Sequence, residues 1–353
     1  MIQPHKPLRL TIDLSAIQAN WRWLDKMSGT AACGAAVKAN AYGLGAERVV
    51  PALLEAGCRD FFVTTYAEAQ PLLPLIGGDA SLCILHGVSR EDAAYAADFP
   101  ARPVLNSPEQ VRRWKEIAPD RPCDVMVDTG MNRLGLTPEE AVSGLLDGLR
   151  IETLHSHLAS ADEDVPQNER QLTVFRAAAN KVNARRYSLA NSAGICLGPD
   201  YHFNLTRPGL ALYGGIPRRE AEGYVRSVFT VEAQVVQRRK VKAGDTIGYN
   251  ATFTAPHDME VAILNLGYAD GYSRRFSNNG HARIMGELLP VAGTVSMDLT
   301  TILVDRATDP YENNWVEIDL NLLRASMQSG LSQYELLTTL GKRYTQCTQQ
   351  DRC

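Results

Sequence analysis

Along the chain, the alternation of apolar and polar positions has two textures, which meet near Gly223. At the N-terminus Leu8, Leu10 and Ile12 share one side of a period-two pattern, which predicts a short strand. Asp13 or Ser15 then stands where a side-chain cap opens a helix over residues 16–27. From Ala31 onward strand and helix patterns alternate. Strands are predicted over residues 31–37, 60–64, 81–86, 101–105, 123–128, 150–157, 187–190 and 202–206. Helices are predicted over 46–56, 66–73, 91–97, 108–117, 138–146 and 167–183, with Pro108 and Pro138 in first turns that tolerate proline.

Strand–helix alternation predicts a parallel sheet with crossover helices, and eight strands favour a closed (β/α)8 TIM-type barrel, an α/β fold. An open dinucleotide-binding sheet calls for G-x-G-x-x-G after the first strand. Here Gly43-Leu44-Gly45 is followed by Ala46, Glu47 and Arg48, so the third glycine is missing. Beyond Gly223 the segment VRSVFTVEAQVVQRRKV is rich in β-branched residues, Lys242 to Asp245 reads as a turn, and strands follow over 260–266, 281–285, 288–292, 300–304 and 315–318. The expected organisation is a barrel over 12–225 and a mainly β domain over 226–353, which strand 8–12 joins. The polar stretch 345–353 has no period and is expected to be a frayed tail.

Composition narrows the partners. At 353 residues, 45% hydrophobic and 22% charged, the chain is an ordinary globular protein with enough length to bury a sizeable core. A net charge of −4 gives no electrostatic case for nucleic acid or an anionic membrane. The seven cysteines are scattered, with no CxxC pair and no zinc spacing, so no metal is expected and reduced thiols in a cytoplasmic protein are. Neither a run of about 18 apolar residues nor a signal-peptide h-region is present.

Candidate chemistry gathers where the barrel strands end. Lys38 closes the first buried strand, where α/β barrels keep their active sites. Such a lysine either marks where the strand meets water or, with its pKa lowered in a partly dry site, forms a Schiff base. Tyr42, Gly43 and Gly45 follow, the glycines permitting tight turns and close backbone approach. Arg133, in Asp128-Thr129-Gly130-Met131-Asn132-Arg133, and His157 end the fifth and sixth strands. Asn191-Ser192-Ala193-Gly194 and Arg207-Pro208-Gly209-Leu210 follow strands seven and eight, a frequent phosphate site in barrels, where Ser192 offers a hydroxyl and Gly209 and Leu210 offer N–H groups. The β domain carries Gly248-Tyr249-Asn250-Ala251-Thr252-Phe253, Gly267-Tyr268-Ala269-Asp270-Gly271-Tyr272 and Ser296-Met297-Asp298. Singly, each also reads as an ordinary loop or a packing feature.

Together, and in this order over nearly the whole chain, the A-V-K-A-N-A-Y-G-L-G, D-T-G-M-N-R-L-G, G-Y-N-A-T-F, G-Y-A-D-G-Y and S-M-D segments resemble the alanine racemase family. That resemblance implies a pyridoxal-phosphate enzyme of fold type III, a (β/α)8 barrel followed by a β domain, acting as a head-to-tail homodimer on alanine. It implies that Lys38 is the Schiff-base lysine and one catalytic base, and that Tyr249 from the partner subunit is the other. It further implies that Tyr42, Ser192, Gly209 and Leu210 hold the phosphate, that Arg207, networked with His157, faces the pyridine nitrogen, and that Arg133 bonds the phenolic oxygen and the substrate carboxylate. Met297 is then expected to meet that carboxylate through its N–H, and Tyr268 with Asp298 to line the entry. The implied role is supply of D-alanine for peptidoglycan. The alternatives are a racemase of serine or of a wider range, a decarboxylase, which calls for other substrate signatures, and a non-catalytic pyridoxal-phosphate protein, a class that lacks a β domain.

Two positions depart from the family pattern. Met126 stands where many members carry a carbamylated lysine that braces the arginine matching Arg133, so this chain must orient Arg133 otherwise. Near the C-terminus Arg343 matches the arginine of an R-V-P segment, but Tyr344-Thr345 replaces V-P, and a phosphate-contacting tyrosine's position falls at Thr348.

Overall fold

The computed structural model describes residues 5–304, 310–341 and 343–349. It divides into two compact units, Ser15–Arg226 and Met1–Leu14 with Ser227–Cys353.

Within Ser15–Arg226, the strands Ala35–Ala36, Asp60–Val63, Ser81–Ile84, Arg102–Leu105, Cys123–Met126, Ile151–His155 and Arg186–Ser188 pair in sequence order, every pair parallel. The eighth strand, Leu205–Thr206, pairs parallel with Ala32–Cys33. On its other side Asn204 N donates to Tyr187 O at 3.0 Å and Arg207 N to Ala190 O at 2.9 Å. The sheet is therefore closed into a (β/α)8 barrel. The first strand is one run broken at Gly34, where a Cβ would lie 2.8 Å from both Asp60 O and the Phe62 ring. The neighbouring strand fills the space a side chain would need.

Side chains that face into the barrel are layered. At the bottom, Arg186 forks onto Asp60 (3.0 and 2.7 Å), Ser81 Oγ donates to Asp60 at 2.8 Å, and Arg102 meets Asp124 at 3.2 Å. Above them lies an apolar layer of Phe62, Cys83, Val104, Met126 and Leu205. His155 spans the two: its ring stands edge-on to Phe62 at 5.9 Å, and its Nε2 is 3.2 Å from Asp124. Burial would raise the Asp124 carboxyl, but the Arg102 charge and the His155 bond outweigh it and hold the group at about 2. Burial keeps His155 neutral, its pKa down to about 4, so it donates an N–H and Arg102 supplies the charge.

Helices on the outside differ from the periodic pattern mainly in length. The expected helix 66–73 stops as Tyr66–Ala69, because Pro71 cannot donate to a further turn. The expected 138–146 stops as Pro138–Ala141, followed by turns with Gly144 and Gly148 at positive φ. Among the described residues no helix is long and apolar enough to cross a membrane.

The other unit is mainly β. The 13-residue strand Phe229–Val241 buries Phe229, Val231, Ala233 and Val235 on one face, the alternation its sequence shows. Its first half pairs antiparallel with Leu8–Ile12 and Trp315–Ile318, and its second half, past a bulge, with Met259–Leu264. The expected frayed tail is corrected here. Thr345–Thr348 is a strand parallel to Leu8–Ile12, in register from Arg9 with Thr345 to Ile12 with Thr348, and Cys347 is buried. A polar edge strand has little local period, and its partner lies at the other end of the chain. Residues 350–353 fall outside the described residues.

The depressed Asp124 carboxyl sets an acid limit. Its folded value of about 2 lies below the ordinary 3.8, so its contribution is complete above that ordinary value and is lost as pH falls toward 2. Urea unfolding should show a constant midpoint from neutral pH to about pH 5 and a steep fall below it. Asp124→Asn, which leaves half-buried Arg102 beside a neutral group, should cost about 3 kcal/mol at pH 7 and flatten that fall.

Candidate active site

Lys38 leaves the C-terminal end of the first barrel strand half-buried. Burial and the nearby Arg133 charge lower its pKa, and Glu68 acts against them. Gly43 and Gly45 turn at positive φ (92 and 94°), as the residue pattern suggested, but the turn begins before them. Ala39, Asn40, Ala41 and Tyr42 all have positive φ (51, 55, 54 and 56°), a left-handed turn built of L-residues. Each such residue costs roughly 1–2 kcal/mol. The turn is held by Asn40, whose carbonyl accepts from Gly45 N (2.9 Å) and whose side chain accepts from Ala46 N (2.9 Å), and by Ala39 N donating to Glu68 Oε1 (3.0 Å). Its product is the placement of Tyr42. That ring is buried against Tyr213, with centroids 4.7 Å apart, and Tyr213 Oη donates to Ala36 O at 2.8 Å. The Tyr42 hydroxyl comes so close to Gly209 that a Cβ there would lie 2.3 Å from it.

The loops after strands seven and eight meet at the same place. Ser192 Oγ accepts from Gly209 N (2.9 Å) and Ala211 N (3.2 Å), while the Leu210 N–H between them donates to no acceptor among the described residues. Buried Arg207 donates to Ser188 Oγ and, at 2.5 Å, to Ser156 O, both neutral oxygens. Burial lowers its pKa to about 10 against the pull of Asp124, so it stays charged at neutral pH. His157 is driven down to about 3 by burial and then by the charges of Arg207, Arg133 and Lys38, which puts the four side chains in one electrostatic neighbourhood.

Arg133 itself is exposed, on a loop organised by Asp128. One carboxylate oxygen accepts from Gly130 N and Met131 N (both 2.8 Å), the other from Arg133 N (2.7 Å). Met126, the departure noted in the sequence, packs in the apolar layer instead of reaching this arginine. Gln171, which no motif singled out, ties the loops together by donating to Thr129 Oγ1 (3.1 Å) and His157 O (2.9 Å). A buried glutamine in an amphipathic helix was the only signal available for it.

On the β unit, Tyr249 is 69% exposed in a turn whose Gly248 has φ 74° and whose Tyr249 carbonyl accepts from Thr294 Oγ1 at 2.9 Å. The 267–272 and 296–298 segments are stitched together, Tyr268 N donating to Ser296 O and Ala269 N to Met297 O, each at 3.0 Å. A Cβ at Gly267 would lie 2.2 Å from Met297 O. Arg343 forks onto buried Asp270 (2.7 and 2.8 Å) and reaches Asp298 at 2.7 Å. The Met297 N–H, at the exposed tip, donates to no acceptor among the described residues.

Residues 12–217 match the family model for the alanine racemase N-terminal domain, and residues 228–348 match that for the C-terminal domain. An alanine racemase of Rhodospirillum rubrum is 41% identical over 351 residues, 95% of this chain and 94% of its own. A catabolic alanine racemase of Agrobacterium fabrum is 41% identical over 352 residues, 95% and 90% of the two chains. Among solved structures, alanine racemase from Bartonella henselae with covalently bound pyridoxal phosphate superposes with a TM-score of 0.91 at 35% identity, covering 98% of this chain and all of that one. A biosynthetic alanine racemase from Pseudomonas aeruginosa gives 0.89 at 30% identity, covering 98% and 99%.

The lowered histidines can be checked directly. With folded values of about 3 for His157 and about 4 for His155, both rings should stay neutral from pH 8 down to about pH 5 in a nitrogen-15 histidine spectrum. Arg207→Met should raise the His157 midpoint, because a positive neighbour is removed.

Proposed function

The chain belongs to the alanine racemase family, and from that membership we propose that it interconverts L- and D-alanine with pyridoxal phosphate held at the mouth of the barrel. The observation that carries this reading is the convergence of Lys38, Arg133, His157 and Arg207 beside the Leu210 N–H. This strongly cationic mouth with an N–H left over fits an anionic, phosphorylated ring. Tyr42, Ser192, Gly209 and Leu210 would hold the phosphate, and Lys38 would hold the cofactor covalently. Pyridoxal phosphate bound there would supply the electron sink that makes the substrate Cα proton removable.

Racemisation needs a proton taken from one face of Cα and returned to the other. Lys38, with its lowered pKa, is suited to act as a base on one face. For the opposite face the reading assigns Tyr249 of a second copy, in a homodimer whose sites are shared. Its exposure on a pinned turn supports that assignment. Arg207, still protonated, would face the ring nitrogen of a bound cofactor and would not readily give up its proton there, which would limit ring protonation and so disfavour side reactions such as transamination. Arg133 would bond the phenolic oxygen and the substrate carboxylate, and the Met297 N–H the same carboxylate, with Tyr268 and Asp298 at the entry. We assign the D-alanine to peptidoglycan supply in the cytoplasm. Racemisation runs both ways, so relatives named catabolic and biosynthetic share one chemistry.

The deciding assay is conversion of L-alanine to D-alanine beside L-serine, with and without added pyridoxal phosphate. Alanine should turn over faster, by about tenfold or more, since an added hydroxyl is discriminated only modestly in a small pocket. Lys38→Ala should abolish both turnover and covalent retention of the cofactor. Tyr249→Phe should lower kcat by about 10²–10⁴ with near-normal cofactor retention, and full activity in that variant would sink the two-base reading.

A further inference from the structure

We propose that Glu68 is a positioning residue for Lys38, its carboxylate fastening the left-handed turn that directs the lysine and providing the negative charge beside it. This rests on the reading of Lys38 as the residue that holds the cofactor.

Glu68 lies in the short helix Tyr66–Ala69 after the second barrel strand, three residues beyond the cap Thr65, whose hydroxyl accepts from Glu68 N at 3.4 Å. In a capping box the glutamate at this position bonds the cap residue's own N–H. Here it does something else. Oε2 accepts from Thr64 N at 2.7 Å, one residue earlier, and Oε1 crosses to Ala39 N at 3.0 Å. One carboxylate thus bridges the ends of two adjacent parallel strands.

Ala39 directly follows Lys38 and is the first of the four left-handed residues. Packing alone does not hold the turn at this point. Ala39 is exposed, and a small cavity opens beside the turn, lined by Asn40 of the turn together with Val37, Glu68 and Leu72 among others. An ionised acceptor on a backbone N–H is among the stronger hydrogen bonds, suited to hold a strained start. The same carboxylate opposes the cationic surroundings of Lys38. Arg133 acts on the lysine from the loop after the fifth strand and the neutral His157 lies after the sixth, while Glu68 is the acid acting on it from the second. Removing Glu68 should therefore both loosen the turn and leave the lysine's positive form less favoured.

The test loads wild type, Glu68→Gln, Glu68→Asp and Lys38→Ala with pyridoxal phosphate. It reads cofactor retention on dialysis and the pH midpoint of the bound cofactor's visible absorbance. Glutamine keeps the size but loses one acceptor and the charge. We expect its retention to weaken about tenfold and its midpoint to move to lower pH by about one unit. Glu68→Asp, which keeps the charge on a shorter arm, should restore part of the midpoint shift and less of the retention. A thermal melt of each variant runs alongside. Lowered melting with an unmoved midpoint would make Glu68 a helix cap only and overturn the proposal, as would unchanged retention and midpoint. Wild type behaving like Lys38→Ala would overturn the reading of Lys38 and this inference with it, whereas a wild-type signal that Glu68→Gln leaves intact overturns this inference alone.

Discussion

The mouth of the barrel depends on the left-handed turn over residues 39–42. Four L-residues in that region are unfavourable in isolation, so the turn exists only because its surroundings over-determine it. Asn40 closes it from within, Glu68 anchors its first N–H, and the Tyr42 ring is clamped on Tyr213 at its far end. Each restraint serves a second purpose. The anchor at Glu68 places a carboxylate near Lys38, and the clamp at Tyr42 brings a hydroxyl against Gly209. A relaxed turn would place neither the lysine nor the tyrosine where they are.

Charge in the barrel is stratified, and the order matters. Asp60, Arg186, Asp124 and Arg102 neutralise one another at the bottom, and an apolar layer separates them from the mouth. Arg207 therefore bonds only neutral oxygens, although Asp124 still acts on it from below. Lys38, Arg133 and Arg207 gather there with Glu68 opposing them at the lysine, and His157 stays neutral through burial and then through their charges. Like charges held this close are unfavourable unless an anion joins them. The mouth is thus arranged for an anionic ligand before any ligand is considered.

In the β unit the same economy appears as backbone stitching. Gly267 packs on the Met297 carbonyl so tightly that no side chain is admissible, and Arg343 fixes Asp270 and Asp298 at once. Met297 and the Tyr249 ring are left exposed on hydrogen-bonded segments.

Much of this was legible along the chain. Period-two and helical patterns marked the barrel strands and the change to a β domain, because burial on one face imposes a local period. Residue chemistry marked Lys38, Arg133, His157, Ser192 and Arg207, because strand ends in a parallel barrel share one face. What the pattern could not express were relations between distant residues. The Thr345–Thr348 strand exists through pairing with Leu8–Ile12, and the fork of Arg186 on Asp60 spans the barrel interior. The left-handed turn contradicts the local preference of alanine and tyrosine and survives through bonds to Glu68 and packing on Tyr213. The sequence by itself determined which groups stand at the barrel mouth. Only the tertiary structure decided how Lys38 is aimed and what charge surrounds it, because hydrogen bonds and Coulomb forces act through space between segments that no local period connects.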